Sequence, residues 1–427
     1  MQPSQNQDQL EQWIREIVRR ELTSQAATPA AETDLVRTGL LDSMGWIAVL
    51  TGIEESTQIG NFGNPWPEGL PQSIRSLTQL ASDGVIRAKA QEHEGLRESR
   101  PPRSTFPVCI AGWGWVVGSV KISGLEMERD CGLSPGTIEN GAGIEFLQIA
   151  SEAEDHLSLA QGAAEKALEA ARIDPLDVDV LVAVSSTFLA LPAFGPRLHT
   201  RLLLPENCAV LDAGGACVGL LNAFRLASAI LSMQGQGIAL VVASEVNSRL
   251  LTSVGAPGEL RGLFGDGACA FALRPGGGSE DSNLVFGDFA FGCSGGDSSA
   301  LNVTMTPQVK FEFEFRGEHL GRAAIGMLSR TIDQLERISG RPRSEGTSFA
   351  LHEPNPRLVQ TFAQNSRIPL NKIQMVSRSF GNLGSATCGV SLCKVLDVHA
   401  PGPASGRPLI FVAAVGPGLL WAGTLLH

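Results

Sequence analysis

No two cysteines in this 427-residue chain stand in C-x-x-C spacing, which leaves a zinc site or a dithiol redox pair without support. The eight are Cys109, Cys131, Cys208, Cys217, Cys269, Cys293, Cys388 and Cys393, and most are expected free and buried. No run of 18 or more uninterrupted apolar residues occurs, so no membrane span is expected. The start, MQPSQNQDQLEQWIREIV, lacks the basic and apolar regions of a secretory leader, and a cytoplasmic protein is expected. Glycine is frequent, at 48, but follows no G-X-Y period, which excludes collagen and fits tight turns and close backbone approaches. Charged residues are only 18% against 43% hydrophobic, so a long disordered chain is excluded. The net charge of −11 repels a polyanion, and no nucleic-acid partner is expected.

The length corresponds to roughly three average domains, or one large and one small. Two regions differ in character. In residues 1–86, Leu10, Trp13, Ile14, Ile17 and Val18 recur at helical spacing. A second helix is predicted from about Ser43, capped by Asp42 or Ser43, and a third over SIRSLTQLAS. Residues 87–106 are charged and proline-containing and read as a solvated linker.

From 107 to 427, apolar runs alternate with helical patterns. Buried strands are predicted at 181–186, 238–245, 349–354, 373–379 and 409–416, and helices at 156–172, 217–233, 319–338 and 355–366. This is an α/β pattern with substantially parallel sheet, in halves of about 107–278 and 279–427. Functional groups are expected at strand C-terminal ends.

Three residues carry chemical interest. In LDAGGACVGLLNAFRL, Asp212 ends a strand and Cys217 opens a helix, where the positive end of the helix dipole would favour a thiolate nucleophile. The segment reads equally as one holding a buried structural cysteine. His352 follows a strand in FALHEPNPRL, and Asn382 lies in the glycine-flanked turn SFGNLGSATC. Alone, each reads more readily as a rim histidine and a turn asparagine. The other histidines, His93, His156, His199, His319, His399 and His427, have no comparable context.

Together, DAGGACVGL, LVVASEVNS, GLFGDGACAFAL, HEPNPRL, GNLGSA and VGPGLLWAG, in this order and spacing, resemble β-ketoacyl-acyl-carrier-protein synthase III of the thiolase superfamily. The resemblance implies a five-layered αβαβα fold over about 107–427. It implies a Cys217-His352-Asn382 triad, with Cys217 accepting an acyl group and then a malonyl-type thioester condensing with it by decarboxylation. It also implies a homodimer. One acyl-oxygen donor would be the Cys217 backbone N–H. The second comes from a glycine loop that here reads Gly416-Pro417-Gly418, in which Pro417 has no N–H. The G-P-G-L form resembles type III polyketide synthases of the chalcone-synthase kind. The stretch LSPGTIENGAGIEFLQIA lacks the tryptophan and the arginines of coenzyme A-using relatives, since Glu145 and Phe146 follow Gly143-Ile144. A carrier-bound donor is therefore expected over CoA. Phe188, Phe194, Phe264 and Met305 are candidate pocket residues.

The segment DLVRTGLLDSMGWIAVLTGIEE resembles acyl carrier proteins, with Ser43 where 4′-phosphopantetheine is attached. That resemblance implies a small four-helix carrier domain, loading by a phosphopantetheinyl transferase, and docking to other biosynthetic enzymes. Residues 32–59 hold five acidic residues and one basic residue, as suits docking to basic patches. No metal is expected. Polyketide or specialised fatty-acyl synthesis is the expected setting. The alternatives are a non-decarboxylating acyltransferase of the same fold, moving an acyl group to a carrier thiol, hydroxyl or amine, and a non-enzymatic scaffold.

Overall fold

The computed structural model describes residues 3–22, 29–35, 38, 40–41, 45, 48–49, 73–78, 107–276, 284–293, 301–305, 311–315, 317–399 and 408–427. Ser43, the linker 87–106 and His93 lie outside the described residues. In the N-terminal region, helix α1 (Pro3–Glu21) buries Ile14 and Val18, as its spacing requires. Leu35, Leu41, Ile74 and Leu77 are also buried, and Arg75 pairs with Glu32 at 2.6 Å.

Thirteen strands are described: β1 (Val108–Val117), β2 (Val120–Ser123), β3 (Phe146–Ile149), β4 (Val180–Val184), β5 (Ala209–Asp212), β6 (Ala239–Val246), β7 (Asp266–Pro275), β8 (Phe286–Cys293), β9 (Leu301–Met305), β10 (Phe311–Phe315), β11 (Ser348–Leu351), β12 (Ile410–Gly416) and β13 (Leu420–Leu426). The larger helices are α2 (His156–Ala171), α3 (Gly219–Gln234), α4 (Gly317–Ser339), α5 (Pro356–Asn365) and α6 (Thr387–Val398). One sheet has the order β1-β7-β6-β4-β5 and a second the order β11-β12-β13-β8.

Strand period dictates the layering. Along β4, Val180, Val182 and Val184 face a central core with α3 and α6, while Leu181 and Ala183 face a separate cluster with α2. Along β12, Ile410, Val412 and Ala414 join the same central core, while Phe411, Ala413 and Val415 meet α4 and α5 on the far side. The order is helix, sheet, helices, sheet, helix, the five layers expected. Close approach sets the first interface: a methyl on Gly114 would lie 2.3 Å from the Ala163 carbonyl of α2. Helix 216–234 is long and apolar enough to cross a bilayer, but here it fills the layer between two sheets.

Two expectations are corrected. The two large sheets are mixed, because only β4–β5, β4–β6 and β11–β12 run parallel and their other four pairings are antiparallel. Residues 373–379 are not a strand. Ile373 makes a single bridge to Phe349, and the chain turns into a short helix at Ser377–Phe380. The N–H groups of Val376 and Ser377 go to the Glu353 carboxylate rather than to a neighbouring strand.

Candidate active site

Cys217 sits in a tight 3-10 turn, Ala216–Val218, that opens directly into α3. The turn is forced by two left-handed residues, Gly215 (φ 123°) and Ala216 (φ 47°). An alanine there is strained, and such strain persists where the surroundings hold it. A side chain on Gly215 would meet Asn222, whose amide donates to the Gly214 carbonyl at 2.9 Å.

His352 follows the last residue of β11, and its backbone N–H donates to the Ala413 carbonyl at 2.8 Å. Its ring is buried, and Nδ1 has no hydrogen-bond partner. Asn382 is held from both sides, its N–H donating to Leu263 and its C=O accepting from Gly265. Its Oδ1 accepts from the Gly384 N–H at 2.9 Å and from the Thr387 hydroxyl at 3.0 Å. With the amide oxygen tied back, the NH₂ end is the one left to donate.

All three side chains border one cavity of about 820 Å³, part of it open solvent. Its other walls are mostly apolar, among them Leu263, Phe264, Ala324, Met327, Leu358 and Leu419. Gly416 and Pro417 also line it, and a methyl on Gly416 would lie 3.4 Å from Cys217 Cβ. The backbone of residue 416 thus lies close against Cys217. Gly418 (φ 76°) faces away to the extent that its carbonyl accepts from the Cys293 thiol at 3.6 Å.

Electrostatics correct one expectation. The Cys217 thiol is pushed up to about 12, first by burial and then by the charge of Glu245, so the resting group is a thiol and not a thiolate. Burial alone lowers His352 to about 3, so its imidazole is neutral. Among the other histidines, His156 bonds Thr187 at 2.9 Å, His199 bonds the Pro205 carbonyl and His399 bonds Ser348, all structural roles.

Of the four candidate pocket residues, Phe264 lines the cavity. Phe188 and Phe194 pack on each other at 5.5 Å instead, and the side chain of Met305 lies outside the described residues. Two buried carboxylates escaped the sequence reading. Glu245, at the end of β6, accepts from the Ser186 and Thr187 N–H groups and from the hydroxyls of Thr187 and Ser385. Glu353, next to His352, accepts from Val376 and Ser377. An acid inside an apolar strand pattern was the available signal, since a buried charge needs partners. No cluster of metal-ligating side chains exists among the described residues.

The model of the FAE1/type III polyketide synthase-like protein family matches residues 132–254. The chain is 27% identical over 328 residues to a β-ketoacyl-[acyl-carrier-protein] synthase III of Methylococcus capsulatus, covering 74% of this chain and 98% of the relative. It is 26% identical over 322 residues to β-ketoacyl-[acyl-carrier-protein] synthase III 2 of Vibrio cholerae, covering 73% and 86%. The solved 3-oxoacyl-(acyl carrier protein) synthase III of Pseudomonas aeruginosa superposes with a TM-score of 0.66 at 24% identity, covering 75% of this chain and 98% of that one. A variant of OleA from Xanthomonas campestris superposes at 0.67 with 17% identity, covering 75% and 98%. The chain is similar to synthase III acyltransferases and has a thiolase-like fold. These relatives and structures leave about a quarter of the chain unmatched.

Proposed function

We propose that residues 107–427 form a condensing enzyme that joins an acyl group to a malonyl-type thioester. The observation that carries this reading is the convergence of Cys217, His352 and Asn382 on one apolar cavity. Cys217 attacks an acyl thioester, its proton goes to the departing thiol, and an acyl-enzyme forms. A malonyl-type thioester then enters. Its C–C bond to the carboxylate breaks, CO₂ leaves, and the electron pair becomes an enolate. The Asn382 NH₂ and the His352 ring stabilise the enolate oxygen. An unpaired buried lone pair is tolerated better than an unpaired N–H, which puts the ring proton on Nε2 and makes that nitrogen the donor. The enolate carbon attacks the acyl carbonyl, the C–S bond breaks, and Cys217 regains a proton from solvent. The Cys217 N–H and a glycine N–H of the 416–418 segment hold the acyl oxygen, with Gly416 the glycine against the cysteine.

A carrier-bound donor suits this rim better than CoA. Arg378, on the helix leading to Asn382, is paired with Glu145 at 2.7 Å, which leaves its charge partly neutralised toward a nucleotide phosphate. In this reading residues 1–86 are a carrier domain, Ser43 bears 4′-phosphopantetheine, and the 87–106 linker raises the local substrate concentration. Two copies of the chain would pair along β5, the edge strand of the larger sheet, whose Ala209 and Asp212 are exposed.

The test is intact-protein mass spectrometry on phosphopantetheinylated protein given acyl and malonyl donors. Acylation lost in Cys217→Ala, with CO₂ and β-keto product released one to one, supports condensation. Acyl movement without CO₂ means a transferase instead. Full phosphopantetheine loading of Ser43→Ala refutes the carrier assignment.

A further inference from the structure

Residues 373–377 run beside β11. Ile373 bridges Phe349, and the Gln374 N–H donates to the Phe349 carbonyl at 3.1 Å. The strand itself ends at Leu351, two residues past this backbone pairing. Glu353 takes over from there. Its two carboxylate oxygens accept the Val376 N–H at 2.9 and 3.0 Å, the Ser377 N–H at 3.2 Å and the Ser377 hydroxyl at 2.8 Å. The residue is fully buried. A single short helix, Ser377–Phe380, and Gly381 (φ 76°) separate these donors from Asn382. Glu353 itself is bonded in sequence to His352.

We propose that Glu353 is a positioning residue, a buried carboxylate that clamps the segment bearing Asn382 to the strand end bearing His352. The proposal rests on the condensing reading of the site. The ionised form accepts all four bonds, whereas on protonation the oxygen that carries the hydrogen turns a donor toward other donors and the set is weakened. Burial opposes the charge and holds the carboxyl up at about 7, despite the four bonds that favour it. The titratable groups around it do not ionise near neutrality. His352, on the strand end, is lowered to about 3, and the Cys388 thiol of α6 is raised by burial. Arg378, next to Ser377, is turned to Glu145. The clamp therefore weakens as pH falls through about 7, and the hold on the segment bearing Asn382 loosens.

The experiment starts from enzyme already acylated on Cys217 and follows single-turnover CO₂ release from a malonyl thioester between about pH 5.5 and 8.5. The wild-type rate should climb with a midpoint near 7. Glu353→Gln should be at least about tenfold slower at pH 8, with no such limb, and should still accept an acyl group on Cys217. Ser377→Ala, which removes one donor to the ionised form, should move the limb to higher pH. A Glu353→Gln protein within twofold of wild type, with its limb intact, overturns the proposal. So does one that loses acylation and thermal stability in step with CO₂ release. Should Glu353→Gln not fold, an unmoved limb in Ser377→Ala is decisive against it. If the wild type neither acylates nor releases CO₂, the condensing reading itself fails. The clamp is then judged by the Asn382 side-chain amide in ¹⁵N-asparagine-labelled protein, whose resonance should titrate near pH 7; a resonance that does not move refutes it.

Discussion

Ser385 donates a 2.5 Å hydrogen bond to Glu245, and Glu245 in turn opposes ionisation of Cys217. One buried carboxylate thus touches the loop that follows Asn382 and the field at Cys217. Replacing it by Glu245→Gln removes the negative charge, so the Cys217 thiol should ionise at lower pH. The rate of iodoacetamide alkylation against pH reads this directly. A midpoint that stays or rises would contradict the arrangement.

Asn382 is aimed by Thr387, whose hydroxyl bonds its Oδ1 at 3.0 Å. Asn382→Ala should cut CO₂ release by about 10²–10³, the usual loss for one oxyanion donor, while Cys217 still acylates. Thr387→Val leaves the Gly384 N–H as the remaining bond to Oδ1, loosens the amide and should cost less, about tenfold. Equal losses of acylation and CO₂ release in either variant would show damage to the fold instead.

His352 makes the fold acid-sensitive. Its folded value of about 3 lies below the ordinary 6.5, so the unfolded chain binds the extra proton between those limits. The stability it lends is complete above about pH 6.5 and drains away toward pH 3. At pH 5 the loss is about 2 kcal/mol, from roughly 1.5 pH units at 1.36 kcal/mol each. Glu353 acts in the opposite direction, since its raised value stabilises the fold as pH falls through 7. The His352→Asn variant isolates the first effect. Urea melts at pH 7.5 and 5 should show a smaller acid loss in the variant than in wild type.

Ala324 lines the cavity from α4 and is itself buried. Ala324→Phe should fill part of the space and shorten the longest acyl chain accepted on Cys217. A competition among acyl donors of graded length, read by mass, checks it. An unchanged length profile would place the acyl chain elsewhere.

Much of this protein was legible in its residues. The alternation of apolar runs with helical patterns located β4, β6, β11, β12 and helices α2–α5, because burial periodicity is a local property of each segment. The strand expected at 373–379 failed for a reason no local pattern holds: its N–H groups are taken by a carboxylate some twenty positions earlier.

What the sequence by itself determined is the chemistry available: one cysteine after a glycine turn, one histidine after a strand, one asparagine in a tight loop, and a fused polar N-terminal region. Only the tertiary structure decided that the three side chains share a cavity, that the thiol rests protonated, and that Glu245 and Glu353 sit beneath them. Ionisation depends on desolvation and on charges brought near by folding. Neither exists until the two sheets close around the central helices.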